Sequence, residues 1–319
     1  MITKTKNKAI GSIAKENIIK RTLKEYKNNW PIFLMLVPGL IYFAVFHYAP
    51  LYGVVIAFKD YNLLDGILGS QWAGMKYFEM AFASVDFWNA FRNTMIISLL
   101  KLAFTFPAPI LLALLLNEVR CMRFKKVVQT ISYLPHFLSW VVFAGIITSF
   151  LSPSTGVVNL VIKQLGFDPI YFVADNDWFR AVLVITAVWK EVGWGTIVYL
   201  AALGGVDMQL YEAASIDGAS KWKQTIHVTL PAIAPTIVVM FIFAVGGIVN
   251  DDFDQIYNMY NPAVYKTGEV ISTYVYKIGM EGMQYSLATA IGLFKNIIAL
   301  ILIVGTNYLC KAFDENTLW

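Results

Sequence analysis

WPIFLMLVPGLIYFAVFHYAPLYGVVIAF, from Trp30 to Phe58, holds no Lys, Arg, Asp or Glu over 29 residues. A helix rises about 1.5 Å per residue and a bilayer's hydrocarbon core is about 30 Å thick, so roughly 20 apolar residues cross it. The stretch predicts a membrane-spanning helix. A cleaved secretory signal would have an apolar core of about 7–15 residues ending at a small-residue cleavage site. This run and its leader are both too long for that.

The remainder of the chain agrees. Of its 319 residues 58% are hydrophobic and 14% charged, with a mean hydropathy of +0.59, a balance no soluble surface tolerates. Five further apolar runs fall at about Thr94 to Leu116, Ile131 to Leu151, Phe179 to Gly205, Ala232 to Val249 and Ser286 to Leu309. The expected fold is all-α and polytopic, with six transmembrane helices in one domain over residues 30–310. A basic tail, 1–29, precedes it and a short tail, 311–319, follows. There is no Gly/Ser linker, low-complexity tract or internal repeat.

Six spans put both termini on one side, and basic residues indicate which. The leader has eight, from Lys4 to Lys27, and the loops on its side bring that side to fifteen, against seven opposite. Short cytoplasmic loops carry the excess of Lys and Arg, so both termini are expected in the cytoplasm. Cys121 and Cys310 then lie on that reducing side, where no disulfide is expected. Aromatic residues crowd the opposite ends (Trp72, Tyr77, Phe78, Phe87, Trp88, Phe91, Tyr257, Tyr260, Tyr265, Tyr274, Tyr276) and suit anchoring at lipid headgroups, or sugar stacking.

The loop between spans four and five, 207–231, reads DMQLYEAASIDGASKWKQTIHVTLP. Asp207 can cap a short helix with Leu210 and Ala214 on one face, and Gly218 can end it in the left-handed conformation. Ser220 can cap a second helix. That helix is expected to stop before Leu230-Pro231, since proline disfavours helical geometry in the residue before it. The result is a stiff helix with small Ala213 and Ala214 on one side and Glu212 and Asp217 open to a partner.

Glu212-Ala213-Ala214, Asp217-Gly218-Ala219 and Leu230-Pro231 at this spacing resemble the EAA loop of binding-protein-dependent ABC importer permeases. Pro38-Gly39-Leu40-Ile41-Tyr42, Leu114-Leu115-Leu116-Asn117-Glu118, Ile131-Ser132-Tyr133-Leu134-Pro135-His136-Phe137, Trp189-Lys190-Glu191 and Tyr260-Asn261-Pro262-Ala263-Val264-Tyr265 are similar to the polysaccharide permeases of the LplB type. The likeness runs from about Pro31 onward. It implies the MalF/MalG-like fold, with the first helix of the 207–231 loop coupling the chain to an ATPase.

It also implies a second homologous permease, two cytoplasmic ATPases holding ATP and Mg, and an extracellular lipid-anchored solute-binding protein. The place is the bacterial cytoplasmic membrane, and the cargo an oligosaccharide. This chain would bind no cofactor and no nucleic acid. It lacks Gly-x-x-x-x-Gly-Lys-Ser/Thr, the phosphate cradle of ATP-hydrolysing domains, so the energy is expected from another subunit.

Charges inside spans face the protein interior or a wet cavity, because at the bilayer centre each costs roughly 2.5–3.5 kcal/mol on insertion scales. Lys101, Lys190, Glu191 and Lys295 meet that description. Lys190, Glu191 and Trp194 are candidates for the translocation path, and the glycines in Trp189-Lys190-Glu191-Val192-Gly193-Trp194-Gly195 allow close helix approach or local unwinding. Lys190 with Glu191 could also be an interior ion pair. Asn250, Asp251, Asp252 and Asp254 end span five, and Asp251 and Asp252 depart from the family pattern. They could meet sugar hydroxyls or a cation, repel anionic sugars, or meet solvent alone.

His47, His136 and His227 lie in separate segments without zinc spacing, so no metal is expected. An ion-coupled secondary transporter would leave the 207–231 loop unexplained, and a membrane enzyme would need a catalytic constellation that is not evident.

Overall fold

The computed structural model describes residues 29–248 and 252–313; residues 1–28, Val249, Asn250, Asp251 and the last six residues lie outside the described residues. The chain divides into two compact units, Met1–Val55 and Ile56–Trp319.

In the first unit α1 spans Trp30–Phe43, with Pro31 in the first turn where its missing N–H costs nothing. It passes into a wide π turn, Ala44–Tyr48, closed by the Ala49 N–H on the Ala44 carbonyl. That turn sits just ahead of Pro50. None of the span's most apolar window is buried.

The second unit opens on a two-stranded antiparallel ribbon, β1 (Lys59–Asp60) against β2 (Gln71–Trp72). Asp60 accepts from Lys76 at 2.6 Å and Tyr77 at 2.7 Å, contacts that hold its carboxyl below the usual carboxylate range. Next come α2 (Val85–Thr105) and α3 (Pro107–Glu118), running on as one 34-residue candidate span. It begins nine residues before the expected Thr94 because Ser84 accepts the Phe87 N–H as a cap. At about 51 Å it overshoots the hydrocarbon core.

The expected straight span Ile131 to Leu151 is broken. α4 (Met122–Tyr133) passes through a tight turn, Leu134–Phe137, and α5 (Trp140–Phe150) leaves at 108°. Pro135 supplies no N–H, and Ser139 caps the restart by accepting the Val142 N–H at 3.3 Å. Among the described residues five helices are long and apolar enough to cross a membrane, and the bent pair makes a sixth if it is one span.

At the centre stands α6 (Phe179–Gly204), buried at every third or fourth position from Phe179 through Leu183, Ala187, Lys190, Gly193 and Thr196 to Leu203. A β-carbon on Gly193 would lie 2.1 Å from the Ser132 carbonyl oxygen, so α4 and α6 meet backbone to backbone there. Close approach is thus what this glycine provides, and the helix does not unwind.

Beyond α6 follow α7 (Met208–Ile216), α8 (Lys221–Gln224), α9 (Leu230–Gly246), α10 (Phe253–Met259), α11 (Ile271–Tyr276) and α12 (Tyr285–Phe313). α8 does not stop before Leu230-Pro231 as expected. A π turn, Thr225–Thr229, closed by the Leu230 N–H on the Thr225 carbonyl, carries the helix on without a break. The wide turn makes room for the ring of Pro231, as its counterpart does ahead of Pro50.

Several aromatics expected at the lipid interface are core instead. Phe87, Phe78 and Tyr274 are buried, whereas Trp72 and Trp88 are exposed. Phe87 packs with Ile271, Leu287 and Ile291.

Gly193→Ala is expected to force α4 and α6 apart at a cost of about 1–3 kcal/mol, as overpacking does. A lower melting midpoint of the purified protein is the readout, and an unchanged midpoint contradicts the close approach.

Candidate transport path and coupling segment

The 207–231 segment has the cap geometry its residues predict. Asp207 accepts the Gln209 N–H at 2.9 Å. The Gly218 N–H returns to Ser215 and the Ala219 N–H to Ala214 at 3.1 and 2.9 Å, with Gly218 at φ +74°. This is the Schellman closure that glycine at this position permits. Ser220 caps α8 by accepting the Lys223 N–H.

Two ties absent from the motif lock the parts together. Buried Gln224 donates to the Ser215 hydroxyl at 3.0 Å and the Ala219 carbonyl at 3.1 Å, and Tyr211 shares a 2.9 Å bond with Thr229. Neither residue belongs to the resemblance, and long polar side chains near a turn give no pairing signal. Glu212, Ala213, Asp217 and Gly218 are exposed, Ala214 and Ala219 half-buried, and no residue of α7 is buried. Lys221 lies 3.7 Å from Glu118, so the turn after α3 sits beside this segment.

The bend between α4 and α5 interrupts the helical hydrogen bonds, leaving the Pro135 carbonyl only a 3.2 Å bond from the Leu138 N–H, and Lys190 turns to the carbonyls there. Its Nζ donates to the carbonyls of Pro135, His136 and Leu138 at 3.1, 2.9 and 2.6 Å, which exhausts the three N–H bonds of an ammonium. The faces of Trp140 and Phe143 lie 5.3 and 5.8 Å from it. The reading of Lys190 and Glu191 as an ion pair is therefore wrong. Successive helix residues diverge by about 100°, and Glu191 pairs with His136 Nδ1 at 2.9 Å instead. Trp194 stacks on the His136 ring, centroids 4.5 Å apart and planes within 3°.

Glu191 and Trp194 open onto a cavity of about 410 Å³ lined also by Lys101, Thr105, Phe106, Pro109, Trp140, Gly195, Tyr199, Phe243 and Asp252. The structure thus gathers three candidates, Glu191, Trp194 and Asp252, but not Lys190, which stands behind the wall. Asp254 is exposed and does not line the cavity. Asn250 and Asp251 lie outside the described residues.

Lys101 reaches Asp252 at 2.9 Å. Lys295 bonds Ser272, away from the cavity. The lining residues Trp140 and Tyr199 carry no sequence signal, because only the bend and the packing of α6 bring them to one cavity. Among the described residues, no three His, Cys, Asp or Glu side chains converge as metal ligands.

Residues 105–317 match the family model of the binding-protein-dependent transport system inner membrane component. The chain belongs to this family. Protein LplB of Bacillus subtilis (strain 168) is 45% identical over 293 residues, 92% of each chain. The polygalacturonan/rhamnogalacturonan transport system permease protein YteP of the same strain is 43% identical over 307 residues, 96% of each. The crystal structure of a bacterial alginate ABC transporter, in complex with an alginate pentasaccharide-bound periplasmic protein, contains a chain with a TM-score of 0.86. That chain is 41% identical, the match covering 92% of this chain and 99% of that one. The protein is an ABC importer permease with an all-α polytopic membrane fold.

In this permease Lys190→Met takes the ammonium from the His136 and Leu138 carbonyls, while Pro135 keeps the Leu138 N–H, and is expected to destabilise the fold by roughly 2–5 kcal/mol. Thermal melting of the purified complex reports it, with Lys190→Arg recovering part of the loss. Equal midpoints for Lys190→Met and the parent contradict the assignment.

Proposed function

We propose that this permease and a second homologous one form the path of an ATP-driven oligosaccharide importer. An extracellular solute-binding protein delivers the sugar, and two cytoplasmic ATPases, holding ATP and Mg, drive its passage. The observation that carries this reading is the coupling segment. It is stiffened by caps and side-chain ties, yet α7 buries nothing, and Ile216 and Trp222 remain 86% and 72% exposed. A rigid element with an uncovered apolar ridge suits docking to a partner.

Glu212, Ala213, Ala214, Asp217, Gly218 and Ala219 form the docking helix and its turn, and Leu230 and Pro231 open span five. A push on α7 passes through Gln224 and Tyr211 into the helix that runs from Lys221 to Gly246. Met240, Phe243 and Ala244 of that helix line the cavity, so the stroke reaches the path.

The excess of basic residues supports both termini in the cytoplasm of a bacterial cell, with residues 30–310 as the membrane domain and 207–231 facing the ATPases. The YteP relative is named for polygalacturonan and rhamnogalacturonan transport, and the alginate transporter was captured with a periplasmic protein. Both support a saccharide cargo handed over by a binding protein. This chain itself hydrolyses no ATP and holds no cofactor.

Gly218→Val places a β-branched residue at φ +74°, where L side chains are strained by roughly 1–2 kcal/mol. ATP hydrolysis in reconstituted vesicles is expected to persist while sugar uptake falls several-fold. Uptake at the parental rate argues against this coupling role.

A further inference from the structure

Lys101 and Asp252 are unequal partners. The lysine side chain is 9% exposed and the aspartate 52%. Lys101 sits within α2, inside a membrane-spanning helix, whereas Asp252 stands at the head of α10 with φ +39°, a left-handed backbone that L residues rarely adopt. The buried member is fixed and the other already faces water. Both line the cavity of about 410 Å³ and a second of about 220 Å³, so the pair stands where two chambers meet.

Glu191, the other charged residue on the 410 Å³ cavity, is hydrogen-bonded to His136 Nδ1 at 2.9 Å. Trp140, Trp194 and Tyr199 give flat faces for sugar rings. An uncharged sugar would need only such faces and hydroxyl partners. A buried cation inside a span is costly and needs an anionic partner, a place that Asp252 fills at 2.9 Å.

Resting on the reading that this cavity is the sugar path, we propose that Lys101 is a specificity-determining residue for oligosaccharides bearing carboxylates, that is, uronic acids. Asp252 occupies its place between cargo molecules. A sugar carboxylate is the same chemical group as the Asp252 side chain and can replace it on the ammonium, while Asp252 turns to the water it half faces. One carboxylate leaves as another arrives, so charge is balanced and no proton moves. A sugar hydroxyl is a weaker partner for an ammonium and does not displace Asp252.

The test uses the whole complex in vesicles, with partner permease, ATPases and binding protein. It is offered tri-galacturonate and tri-mannuronate, and the carboxyl-reduced counterpart of each. ATP-dependent uptake of the uronates is expected to exceed that of the reduced sugars at least about tenfold. Lys101→Met should lower uronate kcat/KM about 10- to 100-fold, the loss of one charged hydrogen bond, with Lys101→Arg retaining most of it.

Asp252→Asn removes the competitor and should lower the KM for uronates. A pair that only holds helices together would make both substitutions harmful, so the opposite signs are diagnostic. Where Lys101→Met fails to assemble, the Asp252→Asn KM decides alone, and a raised value overturns the proposal. Preference for the reduced sugars, or unchanged uronate uptake by Lys101→Met, overturns it while leaving the importer reading intact. No ATP-dependent uptake from either panel overturns the importer reading itself.

Discussion

Three carbonyl oxygens converging on the Lys190 ammonium make the bend between α4 and α5 possible. Backbone polar groups in a bilayer find no water, so a helix can break there only where protein atoms satisfy what the break exposes. Lys190 does so from within α6, and the glycine three residues on lets α4 press against the same helix. The bend brings His136 under Trp194 and Trp140 toward the cavity. One side chain's hydrogen-bonding capacity thereby fixes the shape of the wall along which cargo would pass.

Much of this was legible in the sequence because it is written in local patterns. Long apolar runs marked the spans. Asp207, Gly218 and Ser220 gave the coupling helix, since caps and left-handed turns depend on residues a few positions apart. What escaped depends on distant segments. Lys190 and Glu191 are neighbours in the chain but point along different directions from α6 and find partners on another element. Pro135 was visible, yet the size of the bend follows from a lysine more than fifty residues away. Phe87 and Tyr274 look like interfacial aromatics by position and are buried because α2, α11 and α12 pack together around them. Asp252 was picked out as a departure from the family pattern, but its partner Lys101 lies some 150 residues earlier.

The coupling segment shows how family motif and physical part relate. The motif residues supply helix propensity, a turn and exposure, whereas rigidity comes from Gln224 and Tyr211, outside the motif. Their bonds close a small loop on itself and leave Glu212, Ala213 and Asp217 exposed. Stiffness and availability are thus divided between different residues of one short stretch.

The continuity of the helix from Lys221 to Gly246 has a mechanical consequence. With no slack linker between the coupling segment and the span, force applied at one end is not absorbed on the way. Two places in this rod can yield, the π turn at Thr225–Thr229 and Pro235, where a backbone hydrogen bond is missing. Both precede Met240, Phe243 and Ala244. The rod can therefore change its angle ahead of the cavity, while the stretch that carries Met240, Phe243 and Ala244 stays regular and moves as one piece.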